Sequence, residues 1–196
     1  MNVLKGLNKL RQICDSPMLI KGEKMPGDAS AKLETLIEEI ESKKHQHKIL
    51  IFSQFVSMLD LIRTELIPRE IRFSYLTGQT RKREQVVNEF QNDPGIRVFL
   101  ISLKAGGTGL NLTEADYVYL VDPWWNPAVE NQAIDRCHRI GQDKKIVAVR
   151  LICPGTIEEK IMVMQQSKKD IAKTLIKPDS AVAGSLSKDD LLDLLN

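Results

Sequence analysis

Gln132, Arg136 and Arg139 are spaced i, i+4 and i+7, so on a helix they share one face, beside an apolar stripe of Val129, Ala133, Cys137 and Ile140. A guanidinium presents a planar fork of donors that matches phosphate oxygens, so two arginines and an amide at the edge of a core read as an anion grip. The bland alternative is a solvated face, the ordinary fate of arginines three residues apart. Upstream, Gly106, Gly107 and Gly109 lie between two apolar runs of strand type, residues 98–101 and 117–121. Glycines at that place permit positive φ and let a ligand approach the backbone closely, which suits a phosphate.

Further polar groups fall at the ends of apolar runs. Ser53 and Gln54 close the run at 48–52, where an open parallel sheet presents its ligand sites, and they are expected to face a cleft. Ser102, Lys104, Ala105, Gly106 and Gly107 do the same after 98–101, supplying backbone donors and one cation. Thr77 and Gly78 form the exit turn of a strand at 72–76, and Thr80 reads as the N-cap of the next helix. The first turn of that helix is then Arg81, Lys82 and Arg83. Cations there oppose the helix dipole at roughly 0.3 to 1 kcal/mol each, so an anion site, a DNA phosphate, is the preferred reading over an exposed basic turn.

The elements that must position these groups alternate in period. Val3, Leu7, Leu10 and Ile13 or Cys14 have helical spacing before Ser16 and Pro17, and residues 21–28 read as a loop. Ser30 caps a helix burying Leu33, Ile37 and Ile40, and His45 and His47 in the lysine-rich stretch after it read as solvated. Met58, Leu59, Ile62 and Leu66 bury one face of another helix, which Pro68 closes. Pro127 suits the first position of the helix carrying the arginines. After a last strand at 148–153, Thr156 and Glu159 form a capping box for a long helix striped with Ile157, Ile161, Met164, Ile171 and Leu175. A short leucine helix closes the chain beyond Pro178.

Composition bounds the class. A chain of 196 residues with 42% hydrophobic and 28% charged residues builds a substantial core, and no apolar run is long enough to span a membrane. A net charge of +2 and a pI near 8.4 neither demand nor exclude nucleic acid, since clustering of lysine and arginine matters more than their total. Cys14, Cys137 and Cys153 have no metal-ligand spacing and read as reduced thiols, and the N-terminus shows no signal-peptide pattern. A cytoplasmic location, nuclear in a eukaryote, is the expectation.

The strings KAGGTGLNL, WNP and QAIDRCHRIGQ, at these spacings, resemble the last two signature motifs of the Swi/Snf-type ATPase family of the second helicase superfamily. KILIFSQF at 48–55 is similar to the fourth motif, YLTGQTRKREQVVNEF at 75–90 to the segment after it, and RLICPGTIEEKI at 150–161 to the strand and helix that follow the arginine motif. The resemblance covers roughly residues 48–175 and keeps the family's order. It implies a RecA-like three-layer α/β sandwich with a mainly parallel sheet and C-terminal bracing helices. Residues 1–29 are then the linker from a preceding N-terminal half, 30–176 the second RecA-like lobe, and 177–196 a linker with a short helix. Met1 would fall inside a longer protein.

The same resemblance implies residue roles. Arg136 and Arg139 match the family's arginine fingers, acting on the γ-phosphate of ATP that, with Mg2+, is held mainly by the partner domain. Gln132, Gly109 and Asn111 are implied to bind the nucleotide or couple it to domain closure, although related helicases carry an aspartate where Asn111 stands. Ser53, Gln54, Gly78, Arg83, Ser102, Lys104, Ala105, Gly106, Gly107 and Trp125 are implied to face double-stranded DNA. Of the adjacent tryptophans, WNP matches Trp125, and Trp124 is expected in the core. The C-terminal helices are candidates for a further protein partner.

No G-x-x-x-x-G-K-[ST] loop occurs in these residues, and no Asp-Glu pair follows a strand to hold magnesium. The expected function is therefore half of a DNA-stimulated ATPase, inactive in isolation. Two other classes stand beside it: a non-catalytic DNA-binding or protein-interaction module, and a nucleotide-binding Rossmann enzyme. The last is the weakest, because Gly107 and Gly109 lack a third glycine at the required spacing.

Overall fold

A computed structural model describes residues 2–20, 29–106, 110–137 and 144–174. Helix α1 (Asn2–Asp15) is followed by a single 3₁₀ turn, Pro17–Leu19. Then come α2 (Ala31–Lys43), β1 (Ile49–Ser53), α3 (Val56–Leu66), β2 (Phe73–Leu76), α4 (Arg83–Asn92), β3 (Val98–Ser102) and the short α5 (Leu103–Gly106). The chain continues through β4 (Tyr117–Leu120), α6 (Pro127–Ile134), β5 (Val147–Arg150) and α7 (Ile157–Thr174). The leucine helix and the linker before it, with Leu175 of the α7 stripe, lie outside what is described.

The five strands pair in the order β2-β3-β1-β4-β5, every pairing parallel. Parallel strands need crossover helices, and those helices cover both faces, so the central strands are buried on both sides. Alternation in β1 shows the consequence. Ile49 and Ile51 pack with Leu36, Ile37 and Ile40 of α2 and Met58, Leu59 and Ile62 of α3. Leu50 and Phe52 point the other way, toward Phe90 of α4, Ala105 of α5 and Ala133 of α6. The expected three-layer architecture is the one found.

Local chemistry sets most boundaries. Ser30 Oγ accepts from Leu33 N at 3.2 Å, as a capping serine should, and Asn126 Oδ1 accepts from Ala128 N at 3.0 Å with Pro127 at the first helical position. Thr156 and Glu159 depart from an ideal capping box. Thr156 Oγ1 accepts from Glu158 N at 3.2 Å, while the Glu159 carboxylate reaches past it to Gly155 N at 2.9 Å. Gly155 has φ of 70°, which favours glycine.

Three expectations are corrected. Thr80 does not cap α4: its hydroxyl accepts from Thr77 N at 3.0 Å, closing the exit turn of β2, and α4 starts only at Arg83. Arg81 and Lys82 therefore precede the helix, exposed, and the dipole argument for them lapses. Helix α6 ends at Ile134, because the Cys137 N–H turns to Ile134 O at 3.0 Å and Leu112 N captures the Arg136 carbonyl at 3.2 Å. Finally, α1 does not bury the apolar stripe as a whole. Val3, Leu10 and Ile13 are exposed, and the inward face is Leu7, Arg11 and Asp15.

Candidate functional site

The carboxyl ends of β3, β1 and β4 form one rim, with Ser53 in register with Ser102. Ser53 does not face a cleft. It is fully buried, and its hydroxyl donates to the Asp122 carboxylate and accepts from Phe55 N at 3.0 Å. Gln54 N donates to Asp122 Oδ1 at 3.2 Å and leaves its own side chain half-buried. Asp122, which no sequence signal singled out, is thus the acceptor that shapes the end of β1.

Ser102, Ala105 and Gly106 are also buried, whereas Lys104 is exposed on the same turn. A Cβ at Gly106 would lie 2.8 Å from Phe52 Cε1, so packing against Phe52 favours glycine here, and positive φ does not. Gly107 and Gly109 fall outside the described residues. The Arg83 guanidinium donates to the Ala105 carbonyl, which fastens the start of α4 to this turn. Arg81, Lys82 and Lys104 stay exposed around that link. Gly78 is exposed just after β2, and a Cβ added there would meet nothing within 4 Å.

Gln132 is exposed on α6, but Arg136 lies past the helix end and is only 8% exposed, so the two do not form the regular polar stripe expected of them. Arg139 lies outside the described residues. Asn111 is exposed immediately before Leu112, whose bond to the Arg136 carbonyl ties these two segments together. Both tryptophans are half-buried, not one in and one out. Trp124 N donates to Glu130 Oε1 at 2.7 Å, and Glu130, fully buried, also accepts from Gln165 Nε2 at 2.9 Å and Arg150 Nε at 2.8 Å. Asp122, just after β4, is buried, and its carboxylate accepts from the Ser53 hydroxyl.

Beneath the rim lies a buried charge network that sequence reasoning missed. Lys32 Nζ bridges Asp15 Oδ1 at 2.9 Å and Glu158 Oε1 at 2.6 Å, and Glu158 Oε2 accepts from Cys153 N at 3.0 Å. Arg11 is 3.6 Å from Asp122. Burial pushes Asp122 up to about 6, against the opposing pull of the Ser53 hydroxyl, Arg11 and Gln54 N–H, and it raises Asp15 well above the usual carboxylate range. Burial works to lower the Lys32 pKa, but Asp15 and Glu158 raise it overall. His47 is not solvated as expected: Nδ1 lies 2.6 Å from Asp116 Oδ2 and its ring 4.6 Å from Tyr117. The cysteines are free thiols, with Cys153 Sγ donating to Cys14 O at 3.3 Å.

The raised Asp122 has a measurable consequence. The folded protein holds this proton more tightly than the unfolded chain, so stability from this group is full below pH 3.8 and is lost as pH rises through about 6. Relative to its own stability at pH 4, Asp122→Asn should gain on wild type by on the order of 3 kcal/mol by pH 7. Urea unfolding across that range checks it; a pH-independent difference would contradict the assigned charge state.

A parallel five-stranded sheet covered on both faces, with polar groups at its carboxyl rim, is the architecture of a RecA-like α/β domain. Residues 31–141 match the family described as the helicase conserved C-terminal domain, and the chain belongs to it. Within that family it is a Swi2/Snf2-type C-terminal helicase domain. An uncharacterised ATP-dependent helicase of Schizosaccharomyces pombe is 47% identical over 137 residues, 69% of this chain and 13% of that protein. The DNA repair protein RAD5 of Cryptococcus neoformans is 48% identical over 147 residues, 71% of this chain and 12% of that protein. The Sulfolobus solfataricus SWI2/SNF2 ATPase core, solved in complex with dsDNA, superposes with a TM-score of 0.74 at 35% identity, covering 98% of this chain and 41% of that one. The chain thus spans about an eighth of the length of these two curated relatives.

Proposed function

We propose that this chain is the second RecA-like lobe of an ATP-dependent double-stranded-DNA translocase, meeting the DNA backbone at its rim and supplying arginines to a nucleotide held by a partner lobe. The observation that carries the DNA half is the Arg83 link to Ala105. It draws the basic segment 81–83 and the exposed Lys104 to one edge of the sheet, where backbone and side-chain donors meet phosphate without reading base sequence. Gln54 and Trp125 stand at the adjoining loops. ATP with Mg2+ would be held mainly by the other lobe, with Gln132, Asn111, Gly109, Arg136 and Arg139 approaching it from this side. The compartment is the cytoplasm, or the nucleus in a eukaryote.

The test is duplex binding as a function of salt. Binding should be insensitive to sequence and fall with salt, with a slope near 0.9 per phosphate neutralised; Arg83→Ala should weaken it and lower the slope by about one. Unchanged affinity and slope in Arg83→Ala would remove this rim from the interface. The buried position of Arg136 favours a second reading, a DNA-binding module without a catalytic part. The arginine variants discussed below separate the two.

A further inference from the structure

Arg11 is fully buried in a helix whose apolar neighbours Leu10 and Ile13 face solvent. Its Nη2 donates to Pro123 O at 2.5 Å and lies 3.6 Å from Asp122 Oδ1. Its guanidinium carbon sits 4.7 Å from the Trp125 ring, 5.6 Å from Trp124 and 5.4 Å from Phe55. Nε and Nη1 have no hydrogen-bond acceptor among the described residues, so ring faces take the place that acceptors would otherwise fill. Asp122 in turn holds Ser53 and Gln54. One side chain of α1 therefore touches both loops that adjoin the basic rim, residues 53–55 and 122–125.

We infer that Arg11 is a positioning residue for DNA contact: it fixes these two loops against each other, so the lobe presents its DNA face only when α1 is docked. This rests on the DNA-facing reading above. Anchoring of α1 itself is separately secured, because Asp15 reaches Lys32, Ser30 Oγ donates to Asp15 O at 2.6 Å, and Leu7 packs with Ile157 and Ile161 of α7. Arg11 is thus not needed merely to keep the helix in place. A lysine would keep the charge but could neither lie flat between three rings nor reach Pro123 and Asp122 together.

The two loops contain no cationic side chain. Disturbing them should weaken DNA binding without changing how many phosphates are neutralised, in contrast to Arg83→Ala. The chain's two tryptophans both lie over Arg11, so intrinsic fluorescence reports its seating directly. The experiment is a duplex titration of wild type and Arg11→Lys over a salt series, with emission recorded before DNA is added. Expected are a red-shifted emission, a Kd raised about tenfold and a salt slope parallel to wild type. Phe55→Leu, which leaves no charge unpaired, should act in the same direction by about threefold, and it stands in if Arg11→Lys does not fold. A Kd within twofold of wild type in folded protein, or a loss seen only as reduced binding amplitude, overturns the inference. Wild type that shows no salt-dependent binding sinks the DNA-facing reading instead, a result distinct from failure of the Arg11 variants.

Discussion

Joined to a phosphate-loop lobe, Arg139→Lys is expected to bind ATP near normally and to hydrolyse it about 10³ to 10⁵ times more slowly than wild type, the range an arginine finger supplies. A guanidinium offered from a second domain stabilises developing charge only when two domains close on the nucleotide, and lysine keeps the charge while losing the planar fork. Loss of an ordinary surface arginine changes stability by no more than about 0.5 kcal/mol, so the two explanations differ by orders of magnitude. Arg136 is a less clean probe. It is buried beyond the end of α6, and its removal would disturb packing as well as chemistry. Single-turnover hydrolysis, with nucleotide binding measured alongside, decides the matter; a rate within a few-fold of wild type makes Arg139 structural.

The largest expected loss of stability comes from Lys32→Met. Asp15 and Glu158, both fully buried, would be left facing each other without their shared cation, at a cost of roughly 3–5 kcal/mol. Adding Glu158→Gln should recover part of that loss, because an amide tolerates burial where a carboxylate does not. Chemical denaturation of both variants checks the pair. A single-variant loss under about 1 kcal/mol would show that water reaches the network and that it does not seal α1 to α7.

Where physics is local, the sequence was readable. The apolar runs at 98–101 and 117–121 became β3 and β4, the helix cap at Ser30 and the first helical position at Pro127 fell where expected, and the ordered motifs carried the fold. What was misread depends on partners far along the chain. Arg11 reaches Pro123 across 112 residues and Lys32 reaches Glu158 across 126, so nothing near Leu7 announces that a charged face turns inward. The same holds for α6: no breaker stands after Ile134, and the helix gives way because Leu112 N takes the Arg136 carbonyl. Thr80 had two uses for one hydroxyl, and the turn after β2 won over the cap. Gly106 read as a turn glycine permitting positive φ, and what it shows is close packing against Phe52, a contact that composition does not carry.

The central proposal is that this chain is half of a motor, and one assay of ATP hydrolysis tests it most directly. Turnover is measured with saturating duplex DNA for this chain, for a phosphate-loop lobe of the same family, and for the two combined. Negligible hydrolysis is expected from this chain, because phosphoryl transfer depends on positioned phosphates and no phosphate-loop motif occurs in these residues, and DNA-stimulated turnover on the order of 1 s⁻¹ or faster is expected only in the combination. Turnover near 1 s⁻¹ by this chain alone, or a combination no faster than the phosphate-loop lobe by itself, would contradict the half-motor proposal.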